Sequence, residues 1–132
     1  MFEYPLHHIG VATKDFEKEL SVFERLGYSQ SSDYFSDPAQ KIHGVFLSAA
    51  GQPTLELLAN IDDSGPLTTF LRQGIKFYHF AYEVAKIEQA CADVLHKAGA
   101  KLVTPITSAV VFSKLCFVML PNMMLIELVQ RR

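Results

Sequence analysis

The sequence predicts an α+β fold made of two βαβββ modules, and three observations lead to this prediction. A strand-like apolar run followed by a helical pattern occurs in residues 6–27 and again in residues 77–99. Each helical pattern is followed by three further strand-like segments. A His and a Glu that are 48 residues apart recur at matched positions in both halves. Because independent accidents rarely respect an internal repeat, we interpret the halves as two copies of one unit.

The first module begins with a strand at Leu6–Ala12, and Asp15 is well placed as the N-cap of the helix that follows. Gly27 ends this helix. The apolar positions of the helix are three or four residues apart, and they are Phe16, Leu20, Phe23 and Leu26. Three strands are predicted after it, at 28–35, Ile42–Ser48 and 54–59.

The second module repeats this order with a strand at 77–84 and a helix that ends at Gly99. The apolar positions of this helix are Ile87, Cys91, Val94, Leu95 and Ala98. Its further strands are predicted at 101–104, 112–119 and 124–129. The copies are offset by 71 residues at the His and Glu positions and by 72 at the glycines, so one residue is inserted near the end of the second helix.

A turn-rich connector, N-I-D-D-S-G-P, joins the two modules and leads into a short helix at 67–72 that Gly74 ends. A chain of 132 residues suits one domain with a substantial core. We therefore expect a single domain over residues 1–132, divided into module one (about 5–60), connector (61–75) and module two (about 76–130).

Composition excludes several classes of protein. The apolar fraction of 49% and the charged fraction of 20% are typical of a globular domain. A net charge of −2 provides no basic surface for nucleic acid. The sequence shows neither a secretory signal nor a membrane span, so we expect no membrane association and a cytoplasmic protein. We expect Cys91 and Cys116 to be buried thiols.

The repeated residues are His8 with Glu56 and His79 with Glu127. Each Glu lies in the middle of an apolar strand, where folding would remove its hydration at a cost of several kcal/mol unless a cation or strong donors compensate. Two imidazoles and two carboxylates form a neutral set around a divalent ion and suit Zn, Ni, Co, Mn or Fe. We therefore predict one divalent metal ion with these four ligands.

Such an ion acts as a Lewis acid on a carbonyl oxygen and stabilises the enolate that forms when a neighbouring C–H loses its proton. A ligating Glu that leaves the metal can take that proton. A lone His or Glu in a strand is more often structural or exposed, so the hypothesis depends on the matched spacing of all four residues.

The other histidines and the scattered basic residues carry weaker signals. His7 points away from the face of His8 and is interpreted as structural, or as support for a ligand. His43 lies in a strand and is expected to be exposed, and His96 suits the last turn of a helix. The basic residues that could meet an anionic part of a substrate, but that are more often solvated, are Lys41, Arg72, Lys76 and Lys114.

At the segments L-H-H-I-G-V-A, T-L-E-L-L, Y-H-F-A-Y-E-V and M-L-I-E-L-V-Q, the chain resembles the vicinal oxygen chelate superfamily. This superfamily includes glyoxalase I, methylmalonyl-CoA epimerase, extradiol dioxygenases and bleomycin-resistance proteins. The segments look most similar to the branch of methylmalonyl-CoA epimerases and single-domain glyoxalases. The resemblance implies a curved, partly open mixed β-barrel with helices outside.

The resemblance also implies roles for the repeated residues. The four metal-ligand positions of the superfamily fall on His8, Glu56, His79 and Glu127. The carboxylate at the Glu127 position is both ligand and proton shuttle in glyoxalase-type members, and the Glu56 position completes the coordination. Both glutamates are therefore the expected catalytic residues.

Three departures from the family pattern affect the choice of reaction. Some epimerases carry a second carboxylate base near Gly44, where this chain has no acid, so a two-base epimerase would require His43 or Glu56 as the substitute. Leu120-Pro121 stands where a His-Pro pair is frequent, and Phe112 stands where many relatives have glycines, which would narrow the pocket.

The leading functional hypothesis is a metal-dependent lyase or isomerase that transfers a proton next to a carbonyl through a metal-bound enolate. Its substrate would be a thiol adduct, as for glyoxalase I, or an acyl thioester, as for methylmalonyl-CoA epimerase. The alternatives are a non-catalytic drug-binding protein of the bleomycin-resistance type, suggested by the many aromatic residues, and an extradiol dioxygenase. Strand edges and the resemblance both predict a homodimer.

Overall fold

The computed structural model describes residues 3–132, which divide into two compact units. One unit is His8–Tyr78, and the other combines residues 3–7 with residues 79–132. Each unit contains one βαβββ module, so the predicted α+β fold class is confirmed. Among the described residues, no helix is long and apolar enough to cross a membrane.

The first unit is built from a mixed sheet and two helices. Its elements are β1 (Leu6–Ala12, of which the first two residues belong to the other unit), α1 (Phe16–Glu24), β2 (Ser29–Gln30), β3 (Phe35–Asp37), β4 (Ile42–Ser48), β5 (Leu55–Asn60) and α2 (Thr68–Arg72). Strand β5 is parallel to β1 and antiparallel to β4, with Gly10 opposite Glu56 and Phe46 also opposite Glu56. Strands β2 and β3 both pair with β4.

Helix α1 covers the sheet face opposite Glu56. The side chain of Asp15 accepts a hydrogen bond from the Lys18 N–H at 3.2 Å, which confirms the predicted N-cap. Gly27 follows the helix with φ +95°, a conformation that favours glycine. The core under this helix combines four buried strand residues, Val45, Leu47, Leu55 and Leu57, with the half-buried residues Ile9, Val11, Phe16, Leu20, Phe23 and Tyr28.

The single strand predicted at 28–35 is two short strands in the structure. Strand β2 ends at Gln30 opposite Leu47, whereas β3 begins at Phe35 opposite Gly44. Between them, Ser32 Oγ accepts the Phe46 N–H at 2.9 Å, so a side chain replaces the backbone partner that a continuous strand would supply. The polar S-Q-S-S-D run therefore bulges away from β4 before pairing resumes.

The second unit repeats the arrangement with one helix. Its elements are β6 (Phe77–Glu83, of which the first two residues belong to the first unit), α3 (Ile87–Lys97), β7 (Lys101–Ser108), β8 (Lys114–Met119) and β9 (Leu125–Gln130). Strand β9 is parallel to β6, with Ala81 opposite Glu127, and antiparallel to β8, with Phe117 opposite Glu127. Helix α3 packs its buried residues Ile87, Ala90, Cys91 and Val94 against a core that includes Cys116, Val118, Ile126 and Leu128.

Strand β7 is longer than the predicted 101–104, because it continues through Pro105 to Ser108. Its register against β8 shifts between Leu102 and Thr104 and again between Thr104 and Thr107. Pro cannot donate to a strand ladder, and an edge strand with bulges tolerates it. The predicted strand was therefore four residues too short.

Candidate metal centre

The first unit contains a buried His–Glu pair. His8 Nε2 lies 3.0 Å from Glu56 Oε1, and the two residues are 0% and 6% exposed. The parallel pairing of β1 with β5 creates this contact, because it places Gly10 opposite Glu56 and leaves His8 two residues away on the same face. Glycine at position 10 adds no side chain beside the carboxylate.

The second unit contains an equivalent pair. His79 Nε2 lies 3.1 Å from Glu127 Oε1, and the two residues are 1% and 4% exposed. Strands β6 and β9 are parallel, as β1 and β5 are, and Ala81 stands opposite Glu127. In each unit, therefore, the His contacts the Glu that follows it by 48 residues.

Each pair has the geometry and chemistry of two neighbouring metal ligands. Ligands at right angles around an ion, with metal–ligand distances of roughly 2.1 Å, lie roughly 3.0 Å apart. A charge-assisted hydrogen bond has a similar length, so the distance alone does not distinguish the two cases. In either case a buried carboxylate requires a cation or strong donors to compensate its lost hydration. Each unit thus offers a His–Glu pair that could bind a metal.

An aromatic ring supports each histidine, and sequence reasoning missed this feature. Phe46 lies edge-on to His8, with ring centroids 5.3 Å apart and an interplanar angle of 78°. Phe117 lies edge-on to His79 at 5.2 Å and 81°. The two phenylalanines are 71 residues apart, the same offset as that between the two His–Glu pairs. Applying that offset to every residue of the strands, and not only to polar ones, would have found them.

The remaining histidines have other surroundings than the two His–Glu pairs. His7 is on the opposite face of β1 from His8 and makes an edge contact with the buried ring of Phe112, at 5.0 Å between centroids. His43 accepts or donates a hydrogen bond at 2.7 Å with Ser36 Oγ. Because side chains alternate along β4, His43 points away from the face of Phe46 and Glu56. It therefore cannot replace a base on that face. His96 lies in the last turn of α3, as predicted.

The scattered basic residues have different surroundings. Lys76 forms an ion pair with Glu19. Lys114 Nζ donates to Glu88 Oε2 at 2.8 Å, and this hydrogen bond holds the pKa of the Glu88 carboxyl below its usual range. Lys41 is exposed. Arg72 lies with Lys14, Thr13, Asn60, Asp62 and Asp63 along a cleft of about 460 Å³ in the first unit. Two of the four residues thus serve as partners for nearby acids.

The two cysteines are buried, as predicted. Burial raises the pKa of the Cys116 thiol to about 12, with a further contribution from the neighbouring Cys91. A thiol with this pKa is neutral at physiological pH, and the thiolate is the form that binds metals and attacks electrophiles. Cys116 is therefore a neutral core residue of the second unit, packed under α3.

Solved structures with a similar fold include several epimerases. The structure of methylmalonyl-CoA epimerase from Mycobacterium tuberculosis matches with a TM-score of 0.82 at 24% identity, over 96% of this chain and 87% of that one. A hypothetical protein from Bacillus halodurans matches with a TM-score of 0.86 at 20% identity, over 99% and 96%.

A variant of the Streptomyces coelicolor methylmalonyl-CoA epimerase, in complex with 2-nitronate-propionyl-CoA, matches with a TM-score of 0.77 at 19% identity, over 97% of each chain. These likenesses show that the chain has the expected glyoxalase-like fold. Among curated proteins, no sequence matches this chain.

The sequence profile of one protein family matches residues 7–109, which include three of the four predicted ligands and end before Glu127. This match covers more than half of the chain. The chain therefore belongs to the Glyoxalase/Bleomycin resistance protein/Dioxygenase superfamily.

Proposed function

We propose that the two His–Glu pairs together bind one divalent metal ion and that the protein is a lyase or isomerase which transfers a proton next to a carbonyl group. The observation that carries the proposal is the repetition of one buried pair, since both pairs have the same strand register and nearly the same distance, 3.0 and 3.1 Å. The four proposed ligands are His8, Glu56, His79 and Glu127. The proposal requires all four ligand atoms to share one coordination sphere.

When bound, the metal would act as a Lewis acid that lowers the cost of negative charge on the carbonyl oxygen. The chain must supply the base. Glu56 and Glu127 are both buried carboxylates with an oxygen near an imidazole, so either can accept a proton from a carbon beside the carbonyl. We assign the transfer to Glu127 because its position has this role in the glyoxalase-type members that the chain resembles, and we assign Glu56 mainly to coordination.

The substrate class is proposed from the solved structures. One epimerase is in complex with 2-nitronate-propionyl-CoA, and another methylmalonyl-CoA epimerase is in complex with methylmalonyl-CoA and NH4+. We therefore propose an acyl thioester as the substrate, with a glutathione hemithioacetal as the alternative. Both contain a carbonyl or hydroxyl oxygen for the metal and an adjacent acidic C–H, so the same four ligands suit both.

Two parallel assays test this proposal on the metal-loaded protein. The first supplies methylmalonyl-CoA in deuterated water and follows deuterium uptake at the carbon beside the thioester. The second supplies methylglyoxal with glutathione and follows thioester formation. We expect one of the two reactions, together with its loss after treatment with a chelator and its recovery when metal is restored. Activity that survives complete metal removal would contradict the proposal.

The aromatic rings beside both histidines favour one second candidate, a non-catalytic protein that binds a small aromatic or cationic drug. Silence in both assays, combined with micromolar binding of such a ligand, would support this candidate. The buried carboxylates disfavour it, because a binding protein has no need for two acids that are costly to bury.

We also propose that the protein forms a homodimer through the edge of the second unit. Strand β7 pairs with β8 only, among the described strands, and its residues Leu102 and Val103 are 48% and 52% exposed. Exposed apolar residues on an edge strand favour association with a further strand. Light scattering coupled to gel filtration would measure the mass, and a monomer at micromolar concentration would exclude this interface.

A further inference from the structure

We propose that the face of the first unit that carries His8 and Glu56 also contains a binding subsite for a flat apolar group of the substrate, built from Phe35 and Phe46. This inference rests on the proposed function, because the group would belong to a substrate whose oxygen lies at the metal. It goes further by naming the chemistry of the part of the substrate that does not bind the metal.

The strand register places the two rings on the ligand face. Phe46 of β4 is directly opposite Glu56, and residues directly opposite each other on antiparallel strands point to the same side. Gly44 is two residues from Phe46 and therefore faces the same way. Phe35 of β3 is directly opposite Gly44. A continuous path on one face thus leads from Glu56 through Phe46 to Phe35.

Gly44 allows the ring of Phe35 to lie flat against β4. A Cβ atom at position 44 would be 2.4 Å from Phe35 Cζ and 2.8 Å from Phe35 Cε2, distances that real Cβ atoms do not reach. The ring of Phe35 therefore occupies the space that a side chain at position 44 would need. Any residue with an acidic side chain at position 44 would have to displace this ring.

The two rings form one surface that starts at the proposed ligand His8. Phe35 is stacked on Phe46 at 5.8 Å between centroids and an interplanar angle of 26°. Phe46 in turn lies edge-on to His8 at 5.3 Å. Phe46 is 8% exposed, whereas Phe35 is half-buried. The more accessible of the two residues thus lies one ring away from His8.

Because the surface consists of two phenyl rings, it favours an apolar substituent of the substrate over a charged one. Two phenyl rings offer dispersion and a quadrupole but no hydrogen-bond donor, so a carboxylate placed against them would lose hydration without compensation. A flat apolar group, such as a phenyl ring or an unsaturated chain, would gain offset or edge-to-face contacts. The subsite therefore favours a carbonyl substrate that carries a flat apolar substituent, and a second carboxylate, such as that of methylmalonyl-CoA, would have to lie elsewhere in the site.

Two hydroxamates test the subsite by binding affinity instead of activity. Acetohydroxamate and benzohydroxamate share the metal-chelating head and differ in the methyl or phenyl group. For the metal-loaded protein, titration calorimetry is expected to show about fivefold tighter binding of benzohydroxamate. In Phe35→Leu this preference should fall to about twofold or less. Tyr34→Leu is the matched control, because Tyr34 is the adjacent aromatic residue and contacts Phe16 of α1 instead; it should keep the preference.

The outcomes separate this inference from the function on which it rests. Equal affinity of the wild-type protein for both hydroxamates would overturn the subsite and leave the metal centre intact, and this comparison needs no variant that could fail to fold. An unchanged preference in a folded Phe35→Leu protein would also overturn it. If neither hydroxamate bound, the metal centre itself would be wrong, and the subsite with it. Gly44→Ala, which pushes a methyl group into the ring of Phe35, should lower the preference as Phe35→Leu does.

Discussion

Phe117 lies edge-on to His79 at 5.2 Å between ring centroids, and Phe46 lies edge-on to His8 at 5.3 Å. Each ring belongs to the strand that pairs with the strand carrying the glutamate, and each is directly opposite that glutamate. The duplicated unit is therefore a triplet of His, Phe and Glu and not only a pair. The phenylalanine fills the space beside the imidazole and limits its rotation.

Removing this ring should weaken metal binding without abolishing it. In Phe117→Leu, the imidazole of His79 would lose its edge-to-face contact and gain freedom to rotate, and we expect metal affinity to fall about two- to tenfold. Competition with a fluorescent chelator would measure the change. Phe23→Leu is the matched control, because Phe23 makes a similar edge contact with Tyr28 under α1 and lies among the core residues of the helix-covered face. Its metal affinity should equal that of the wild-type protein.

The repeat made the modules and the His–Glu pairs predictable from the sequence. Charged residues in the middle of apolar strands are rare, so Glu56 and Glu127, which repeat at the 71-residue offset of the modules, are easily recognised as a pattern. The helices were predictable for a similar reason, since the apolar spacing from Phe16 onward and the cap at Asp15 agree with each other. Elements are therefore predicted best where independent sequence features, such as apolar spacing and a capping residue, indicate the same structure.

The remaining features depend on contacts between neighbouring strands. The break between β2 and β3 arises from one side-chain hydrogen bond, Ser32 to Phe46, and no local pattern indicates it. The contact of Phe35 with Gly44 requires the register of β3 against β4, and the sequence gives no register for a three-residue strand. Phe46 and Phe117 look like ordinary core residues until their partners are known.

Loss of the Ser32 hydroxyl should destabilise the first unit. In Ser32→Ala, the Phe46 N–H loses its acceptor at a half-buried position, and we expect the free energy of unfolding to fall by about 1 kcal/mol. Urea denaturation would measure the loss. Ser36→Ala removes an exposed hydroxyl that contacts His43 and serves as the control, with a change within about 0.5 kcal/mol. Equal losses in Ser32→Ala and Ser36→Ala would show that the hydrogen bond from the Phe46 N–H to Ser32 contributes no more to stability than an exposed one.

Stability should decrease in alkaline solution because of Cys116. Burial raises the pKa of this thiol from 9.0 to about 12 in the folded state. Between these pH values the unfolded chain has already lost the thiol proton that the folded chain still holds. The contribution of this thiol to the free energy of unfolding is therefore fully present below pH 9 and is lost as the pH rises toward 12. The slope for one such group approaches about 1.4 kcal/mol per pH unit.

Urea denaturation at pH 8, 9 and 10 would measure this slope as a difference between proteins. Lys and Tyr residues also titrate in this range, so wild-type protein is compared with Cys116→Ala, which lacks the thiol and keeps the other groups. We expect a steeper decline for the wild-type protein. Parallel curves for the two proteins would indicate that the thiol ionises equally in both states.

Substitution of adjacent histidines tests the face assignment on β1. His8→Ala should remove most of the bound metal, whereas His7→Ala should keep it, because His7 lies on the other face and contacts Phe112. Mass spectrometry of the metal content, on protein purified without chelators, would give the stoichiometry. Thermal unfolding gives a second reading, because a ligand that binds only the folded state raises the melting temperature. Full metal content in folded His8→Ala would remove His8 from the ligand set.

Replacing each glutamate by glutamine separates coordination from proton transfer. The amide keeps an oxygen for the metal but cannot accept a proton, so a glutamate that acts as the base should lose activity far more than it loses metal. For Glu127→Gln we expect activity to fall at least 100-fold, with metal affinity reduced less than that. Glu56→Gln, the matched change in the other unit, should lower activity and metal affinity by similar factors. If instead Glu56→Gln lost far more activity than metal affinity and Glu127→Gln did not, Glu56 would be the base. If both variants lost far more activity than metal affinity, the two carboxylates, one from each copy of the unit, would share the proton transfer.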